Sequence, residues 1–376
     1  MTIPFIDLKT QYSQNRAKID SAINNVLNHG QYIMGPEVTE LETRLADYIG
    51  IKHVLTCSSG TDALLLPLMT LGLSEKDAIF TTPFTFFASA EAISLAGATP
   101  VFVDINPDTF NLDPEDLKSK IQKVTEEGTL SPRAVIPVDL FGLSADYHEI
   151  AKISSANNLF LLEDAAQSFG ANYKGSKACS FGDAAATSFY PAKPLGCYGD
   201  GGAVFTNNSS LHEELVSLRV HGQALSGDKY DNVRIGLNAR MDTIQAAILL
   251  EKLKIYDFEI ERRNDVANSY AKYLDSSIKT PTIPQGQGSV WAQYSILVED
   301  REKLKEDLAE RNIPTAIFYP IPIHLSSAYS HLGYSVGDFP VSEAISKKII
   351  SLPMHPYMNE STIKMICDAV NLSVGK

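Results

Sequence analysis

The apolar residues of this chain follow two rhythms, short unbroken runs and spacings of three or four, and the two alternate along most of its length. Ile19, Ile23, Val26 and Leu27 share one helix face, and Gly30 is placed to end that helix. Val38, Leu41, Leu45 and Ile49 line a second helix, reached through the glycine-punctuated turn GQYIMGPEV that contains Tyr32. His53 to Cys57 reads as a strand, and SSGTDALLL turns from it into a helix at Gly60 and Thr61. Pro67 falls inside that helix and should kink or shorten it. Strands at 78–82, 99–104, 134–140 and 159–164 then alternate with helices at 88–96, 114–124 and 145–157. Apolar strands separated by helices imply an α/β fold, a mostly parallel central sheet covered by helices on both faces.

Beyond this alternation a β-prone run ends at Phe189 and Tyr190, and 203–206 is a further strand. Residues 211–220 are helical, and the polar loop ALSGDKYDNVRIG follows. Residues 243–274 show a long, nearly unbroken helical pattern. After the turn-rich stretch 280–288 come a strand at 291–298, a charged helix at 301–311 and a strand at 315–319. The last two helices begin near Val341 and Ser361.

The loop between the strands near 189 and 203 holds a lysine, Lys193, between Pro191 and Pro194, followed by the glycine-dense GCYGDGG. A stiffened, then permissive, loop between two strands presents one amine at a fixed place. Desolvation makes such an amine easier to deprotonate and able to attack a carbonyl, as a Schiff-base lysine must. Upstream, in LFLLEDAAQSFG, Asp164 ends a buried parallel strand, at the sheet edge where open α/β proteins gather ligands. There a carboxylate either ion-pairs a protonated pyridine nitrogen, the partner that pyridoxal phosphate (PLP) requires, or caps a helix. Gln167 either donates to the phenolic oxygen of that ring or is solvated. Gly60, at a helix amino terminus, leaves backbone N–H groups free for a phosphate.

Composition narrows the classes. With 376 residues there is enough chain for a large and a smaller domain. The net charge of −13, without a basic tract, argues against nucleic acid or an anionic membrane as partner. No apolar run approaches the roughly 20 residues that span a bilayer, and MTIPFIDLKTQ lacks the features of a signal peptide. Cys57, Cys179, Cys197 and Cys367 are scattered, which suits a reduced cytoplasm and predicts no metal site. Neither GxGxxG after the first strand nor GxxxxGK[ST] is present, so dinucleotide and P-loop readings lack their fingerprints.

SFYPAKPLGCYGDGG together with EDAAQSFGA resembles the DegT/StrS-type sugar-nucleotide aminotransferases, PLP enzymes of fold type I, and the resemblance runs from FIDLKTQY to SLPMHPYM. It implies a large PLP-binding domain over 1–255 and a small α/β domain over 256–376. It implies that Lys193 carries PLP as a Schiff base, that glutamate leaves its amine as pyridoxamine phosphate, and that a keto-sugar nucleotide receives it. It places the PLP phosphate at Gly60 and Thr61, with the Ser188 hydroxyl beside it and Asn238 reaching it from a neighbouring subunit. Phe86 aligns with the aromatic residue that stacks on the ring, and its neighbours Phe84 and Phe87 are alternatives. Arg240 suits a carboxylate, either that of glutamate or of a uronic acid, or else forms a structural salt bridge. The loop FYPIPIHL, with Tyr319 and His324, faces the sugar nucleotide in this family, as does the turn with Tyr32. Phe318 stands where many relatives carry histidine, and His324 is a candidate substitute.

Within the family the likeness is greatest to enzymes that aminate UDP-2-acetamido-2-deoxy-3-oxo-glucuronic acid at C3 for bacterial surface polysaccharide such as O-antigen. The expected enzyme is a cytoplasmic homodimer with shared active sites. A C4 aminotransferase acting on a UDP- or dTDP-4-keto-6-deoxy sugar, and a PLP-free regulatory or binding protein on the same fold, remain as alternatives. The C3-dehydrating relatives have histidine in place of the lysine.

Overall fold

The structure is a computed structural model that describes residues 3–225 and 230–375. Residues 226–229, inside the polar loop expected from the sequence, lie outside the described residues. The chain runs α1 (Leu8–His29), α2 (Pro36–Ile49), β1 (His53–Cys57), α3 (Gly60–Met69), β2 (Asp77–Thr81), α4 (Ala88–Leu95), β3 (Thr99–Phe102), α5 (Pro114–Glu127) and β4 (Ser131–Ile136). It continues through α6 (Tyr147–Ala156), β5 (Phe160–Asp164), a small hairpin of β6 (Asn172–Tyr173) and β7 (Ser176–Lys177), then β8 (Ala184–Ser188), β9 (Gly202–Thr206), α7 (Ser209–Arg219), α8 (Thr243–Leu253) and α9 (Tyr256–Tyr273). The last part holds β10 (Tyr294–Leu297), α10 (Arg301–Glu310), α11 (Pro340–Lys348), β11 (Ile349–Leu352) and α12 (Glu360–Val374).

Seven strands form the main sheet in the order β1-β9-β8-β5-β4-β2-β3. All point one way except β9, which pairs antiparallel with β8 and β1. Successive residues of a strand project to opposite faces, and here both faces are buried. Leu55, Ile79, Ile136, Leu162 and Val204 pack with α3, α4 and α7. Their neighbours Val54 and Phe205 pack with α2 and α8, and Phe80, Val135 and Leu161 with α5 and α6. That two-sided burial is why the strands read as unbroken apolar runs rather than alternating ones.

A second core gathers α9, α10 and α12 on the two-stranded β10–β11 sheet, through Tyr270, Tyr294, Leu308, Ile350 and Ile366. α9 belongs to both cores: Tyr256 packs beneath the main sheet, while Val266 and Tyr270 pack in the second core. The two are also tied by Asp104, whose carboxylate accepts the Val341 and Ser342 N–H groups and so caps α11.

Four expectations need correction. The helix over 243–274 is two helices, broken at Lys254 and Ile255. No glycine or proline marks the break. It follows from packing, since Lys252 is buried against the Gly196 carbonyl and Tyr256 donates to the Phe169 carbonyl at 2.7 Å. The strand over 134–140 stops at Ile136, before Pro137, which has no N–H to continue the ladder. The strand over 291–298 is only Tyr294–Leu297, because Trp291 is left-handed at φ 52°. Residues 315–319 contribute a single bridge, Ala316 to Ser351, rather than a strand. Pro67 lies near the end of α3, which stops at Met69. No helix among the described residues is long and apolar enough to cross a membrane, and no acidic, histidine or cysteine group among them is arranged to hold a metal ion.

Candidate active site

The carboxyl ends of β1, β5 and β8 lie on one edge of the sheet, and each is followed by a candidate residue. The tight spot is after β1. A Cβ on Gly60 would stand 2.6 Å from the Ser188 Cβ, and one on Gly202 only 2.3 Å from the Ser59 carbonyl oxygen. Only glycine permits this approach, which packs the amino terminus of α3 against the end of β8. The N–H groups of Gly60 and Thr61, in the first turn, have no intrahelical acceptor. With the nearby Ser188 hydroxyl they form a cradle suited to a phosphate. Gly202→Ala should therefore overpack the junction and cost about 1–3 kcal/mol, measurable as a lower thermal unfolding temperature. An unchanged temperature would mean the junction is looser than the geometry implies.

Asp164 ends β5 and is buried. Its Oδ2 accepts the Ser89 hydroxyl at 2.7 Å and its Oδ1 the Ala166 N–H at 3.2 Å. Burial raises its pKa, against the lowering effects of Ser89, Ala166 and Lys193. Lys193, partly buried in the β8–β9 connection, is within electrostatic reach of Asp164. Burial lowers its pKa and Asp164 opposes the change. The loop is held by the Lys193 N–H on the Tyr190 carbonyl, the Cys197 N–H on the Phe189 carbonyl, both at 2.8 Å, and Lys252 on the Gly196 carbonyl. Cys197 is a buried packing residue whose thiol also donates to the Phe189 carbonyl.

Gln167 is fixed at both ends. Its Oε1 accepts the Phe141 N–H at 2.8 Å, so its Nε2 is the donor end, 3.1 Å from the Tyr319 hydroxyl. Of the three phenylalanines near 86, Phe84 is wholly buried and Phe87 packs on Tyr329, whereas Phe86 is 58% exposed with Tyr319 at a ring separation of 6.4 Å. An exposed aromatic beside Gln167's partner is available to cover a flat ligand.

The other expected residues are dispersed. Asn238 is exposed; the Ala239 carbonyl next to it accepts the Ser58 N–H, so its segment adjoins the α3 cradle of its own chain. Arg240 is partly exposed and forms no ion pair among the described residues, unlike the buried Arg219, which is held by Glu42 at 2.6 Å. Tyr32 is half exposed in a surface turn, and its carbonyl accepts the Thr243 N–H. His324 is not brought to the site. It is 1% exposed, its Nε2 lies 3.2 Å from Glu343, and its ring packs on Phe339. Phe318 packs among the apolar residues between the two cores. Sequence reasoning missed Ser89 and the Phe141 N–H. Ser89 is one helical serine among many, and a backbone donor leaves no residue signal.

Residues 13–371 match the DegT/DnrJ/EryC1/StrS aminotransferase family. The chain is 46% identical over 369 residues to the UDP-2-acetamido-2-deoxy-3-oxo-D-glucuronate aminotransferase of Pseudomonas aeruginosa, covering 98% of this chain and 99% of that protein. Among solved structures, a DegT DnrJ EryC1 StrS aminotransferase from Brucella abortus is similar at a TM-score of 0.96 and 48% identity, over 100% of both chains. S. venezuelae DesV in complex with a ketimine intermediate is similar at a TM-score of 0.94 and 36% identity, over 100% of this chain and 99% of that one.

Proposed function

Because the chain belongs to the DegT/DnrJ/EryC1/StrS aminotransferase family, we propose that it is a PLP-dependent aminotransferase that moves the amino group of glutamate onto C3 of UDP-2-acetamido-2-deoxy-3-oxo-glucuronic acid. The observation that carries the reading is the convergence of an amine, a buried carboxylate and a helix amino terminus at one sheet edge. The residues present fit PLP on their own chemistry. The Gly60–Ser188 cradle suits its phosphate, Asp164 suits a protonated ring nitrogen, Gln167 Nε2 suits the phenolic oxygen, and Phe86 suits a ring face.

When bound, PLP supplies an aldehyde for the amine and a ring that accepts the electron pair released at the amino donor's α-carbon. Lys193 would hold the cofactor and, as the amine nearest the amino donor, would serve as the acid and base that takes the α-proton and gives one back. Such proton transfer contributes about 10²–10⁴-fold. Burial assists it by lowering the pKa of the Lys193 amine, a change that the charge of Asp164 opposes. Asp164, fixed by Ser89 and Ala166, keeps the ring nitrogen protonated. Second-substrate recognition falls to Arg240, Tyr32 and Tyr319. Exposed apolar residues lie beside the Asn238–Arg240 segment, Tyr32 and Ile33 through their backbone pairing with Asp242 and Thr243 and Val233 and Ile235 a few residues before it in sequence, and they suit a second copy of the chain, to whose site Asn238 would contribute. A cytoplasmic enzyme of surface-polysaccharide synthesis follows from this substrate.

Arg240→Ala tests the carboxylate contact. Loss of a charge-assisted pair of hydrogen bonds costs about 1.5–3 kcal/mol, so the KM for the uronic acid or for glutamate should rise roughly 10- to 100-fold. If neither KM moves, Arg240 is structural. The substrate is tested by a half-reaction. The PLP-loaded protein is first converted with glutamate, then offered UDP-linked 3-keto and 4-keto sugars separately. Return of the long-wavelength absorption with the 3-keto uronic acid alone is expected, and return with a 4-keto sugar alone would overturn the substrate while keeping the chemistry.

A further inference from the structure

Behind Asp164 lie two more carboxyl groups that the transamination chemistry does not use. Asp139 and Glu163 are both wholly buried. Asp139 Oδ1 accepts the Ala145 N–H at 2.9 Å and the Tyr147 hydroxyl at 2.7 Å, and its Oδ2 accepts the Ser168 hydroxyl at 2.7 Å. Glu163 accepts the Cys179 N–H at 2.7 Å and the Phe181 N–H at 2.9 Å. The two carboxyl groups are also close enough to act on each other. Among the described residues no lysine, arginine or histidine forms an ion pair with either. Two carboxylates in contact in a dry interior cannot both be ionised. A proton on Glu163 would make it a fourth donor, and the roughly four lone-pair sites of an ionised Asp139 would then all be taken.

We propose that Asp139 and Glu163 share one proton, and that this carboxyl pair is the positioning device for Asp164 and Gln167. The proposal rests on the reading of those two residues as contacts to the PLP ring. The connections are direct. Glu163 precedes Asp164 on β5, and the Asp139 N–H donates to the Asp164 carbonyl at 3.0 Å. Asp139 holds Ser168, the residue after Gln167, and Phe141 in the same turn donates to Gln167 itself. The pair thus pins the 139–141 turn against the 163–168 segment from which both ring contacts project. It also leaves one negative charge behind Asp164 instead of two, so that Asp164 can be the anion that faces the ring.

The groups facing the pair are Tyr147, Cys179 and Asp164. Burial, with the charges of Asp139 and Glu163, pushes the Tyr147 hydroxyl and the Cys179 thiol up, and both stay neutral. Burial raises both carboxyls, and with the charge of Asp139 it carries Glu163 well above the usual carboxylate range, the direction of a proton held within the pair. The folded state therefore holds a proton that the unfolded chain releases. The stability it contributes is complete in acid, below the ordinary carboxylate range, and is lost as pH rises through the raised pKa.

Infrared spectroscopy on the full chain is the test. The carbonyl stretch of a protonated carboxylic acid should be present at neutral pH and disappear in Glu163→Gln. Asp139→Asn, which keeps the side-chain shape, should weaken PLP binding about tenfold, change the circular dichroism of the bound cofactor, and flatten the loss of thermal stability toward alkaline pH. If that variant does not fold, Ser168→Ala cuts only the bond to the Gln167 segment and should show a smaller weakening in the same direction. Absence of the acid band overturns the shared proton. An unchanged PLP dissociation constant and dichroism in these variants overturns the positioning role. Failure of the wild-type chain to take up PLP overturns the parent reading and the positioning role with it, whatever the infrared band shows.

Discussion

Lys193→Ala is expected to abolish the long-wavelength absorption of bound PLP and to cut turnover by at least about 10³-fold, the upper range of what one acid–base group contributes. On the proposed function the substitution removes both the amine that would hold the cofactor and the base that would act on the amino donor. It should not unfold the loop, whose bonds are made by other groups: the backbone at Tyr190 and Phe189, and Lys252 on the Gly196 carbonyl. Absorption spectra of the purified variant with added PLP, followed by single-turnover assays with glutamate, check both halves. Retained turnover would remove Lys193 from the mechanism.

Asp164→Asn is expected to leave the fold intact and to lower the rate by roughly 10²–10³-fold, since on the proposed function the ring nitrogen would lose the anion that keeps it protonated. The amide has the same shape, and a nitrogen placed at Oδ2 can donate to the Ser89 hydroxyl, which accepts as readily as it donates. The unfolding transition should therefore move little while kcat falls. Near-normal kcat would mean that the carboxylate serves only as a strand-end acceptor for Ser89 and Ala166.

Much of this site was legible in the sequence because its chemistry sits in two short segments. Lys193 is marked by its flanking prolines and glycines and lies in a loop between two strands as expected, and Asp164 is marked by the apolar run that it ends at the carboxyl edge of the sheet, also as expected. Gly60 was legible for the same reason, as a glycine opening a helix. What the sequence did not show is which way side chains turn. His324 and Tyr319 lie in one proline-stiffened loop, yet the first is drawn into Glu343 and Phe339 while the second reaches Gln167. The division between α8 and α9 was hidden because nothing in the local residues breaks a helix there. Burial of Lys252 and Tyr256 on distant partners imposes the turn. The Asp139–Glu163 contact was hidden as well, since it joins residues from two separate strand ends that only the folded sheet brings together.

α8 ties the Tyr32 turn to the Lys193 loop. Its first residue, Thr243, receives the Gly35 N–H on its hydroxyl and gives its own N–H to Tyr32; Gln245 receives the Tyr198 N–H; and Lys252, two turns on, holds Gly196. The segment just before it carries Asn238 and Arg240. One rod thus carries the Tyr32 turn at one end and the Lys193 loop along its length. Diversification among relatives would then be modular only in blocks. A chimera that exchanges the turn around Tyr32 together with residues 238–253 keeps matched partners, whereas grafting the turn alone puts the join at Thr243 at risk.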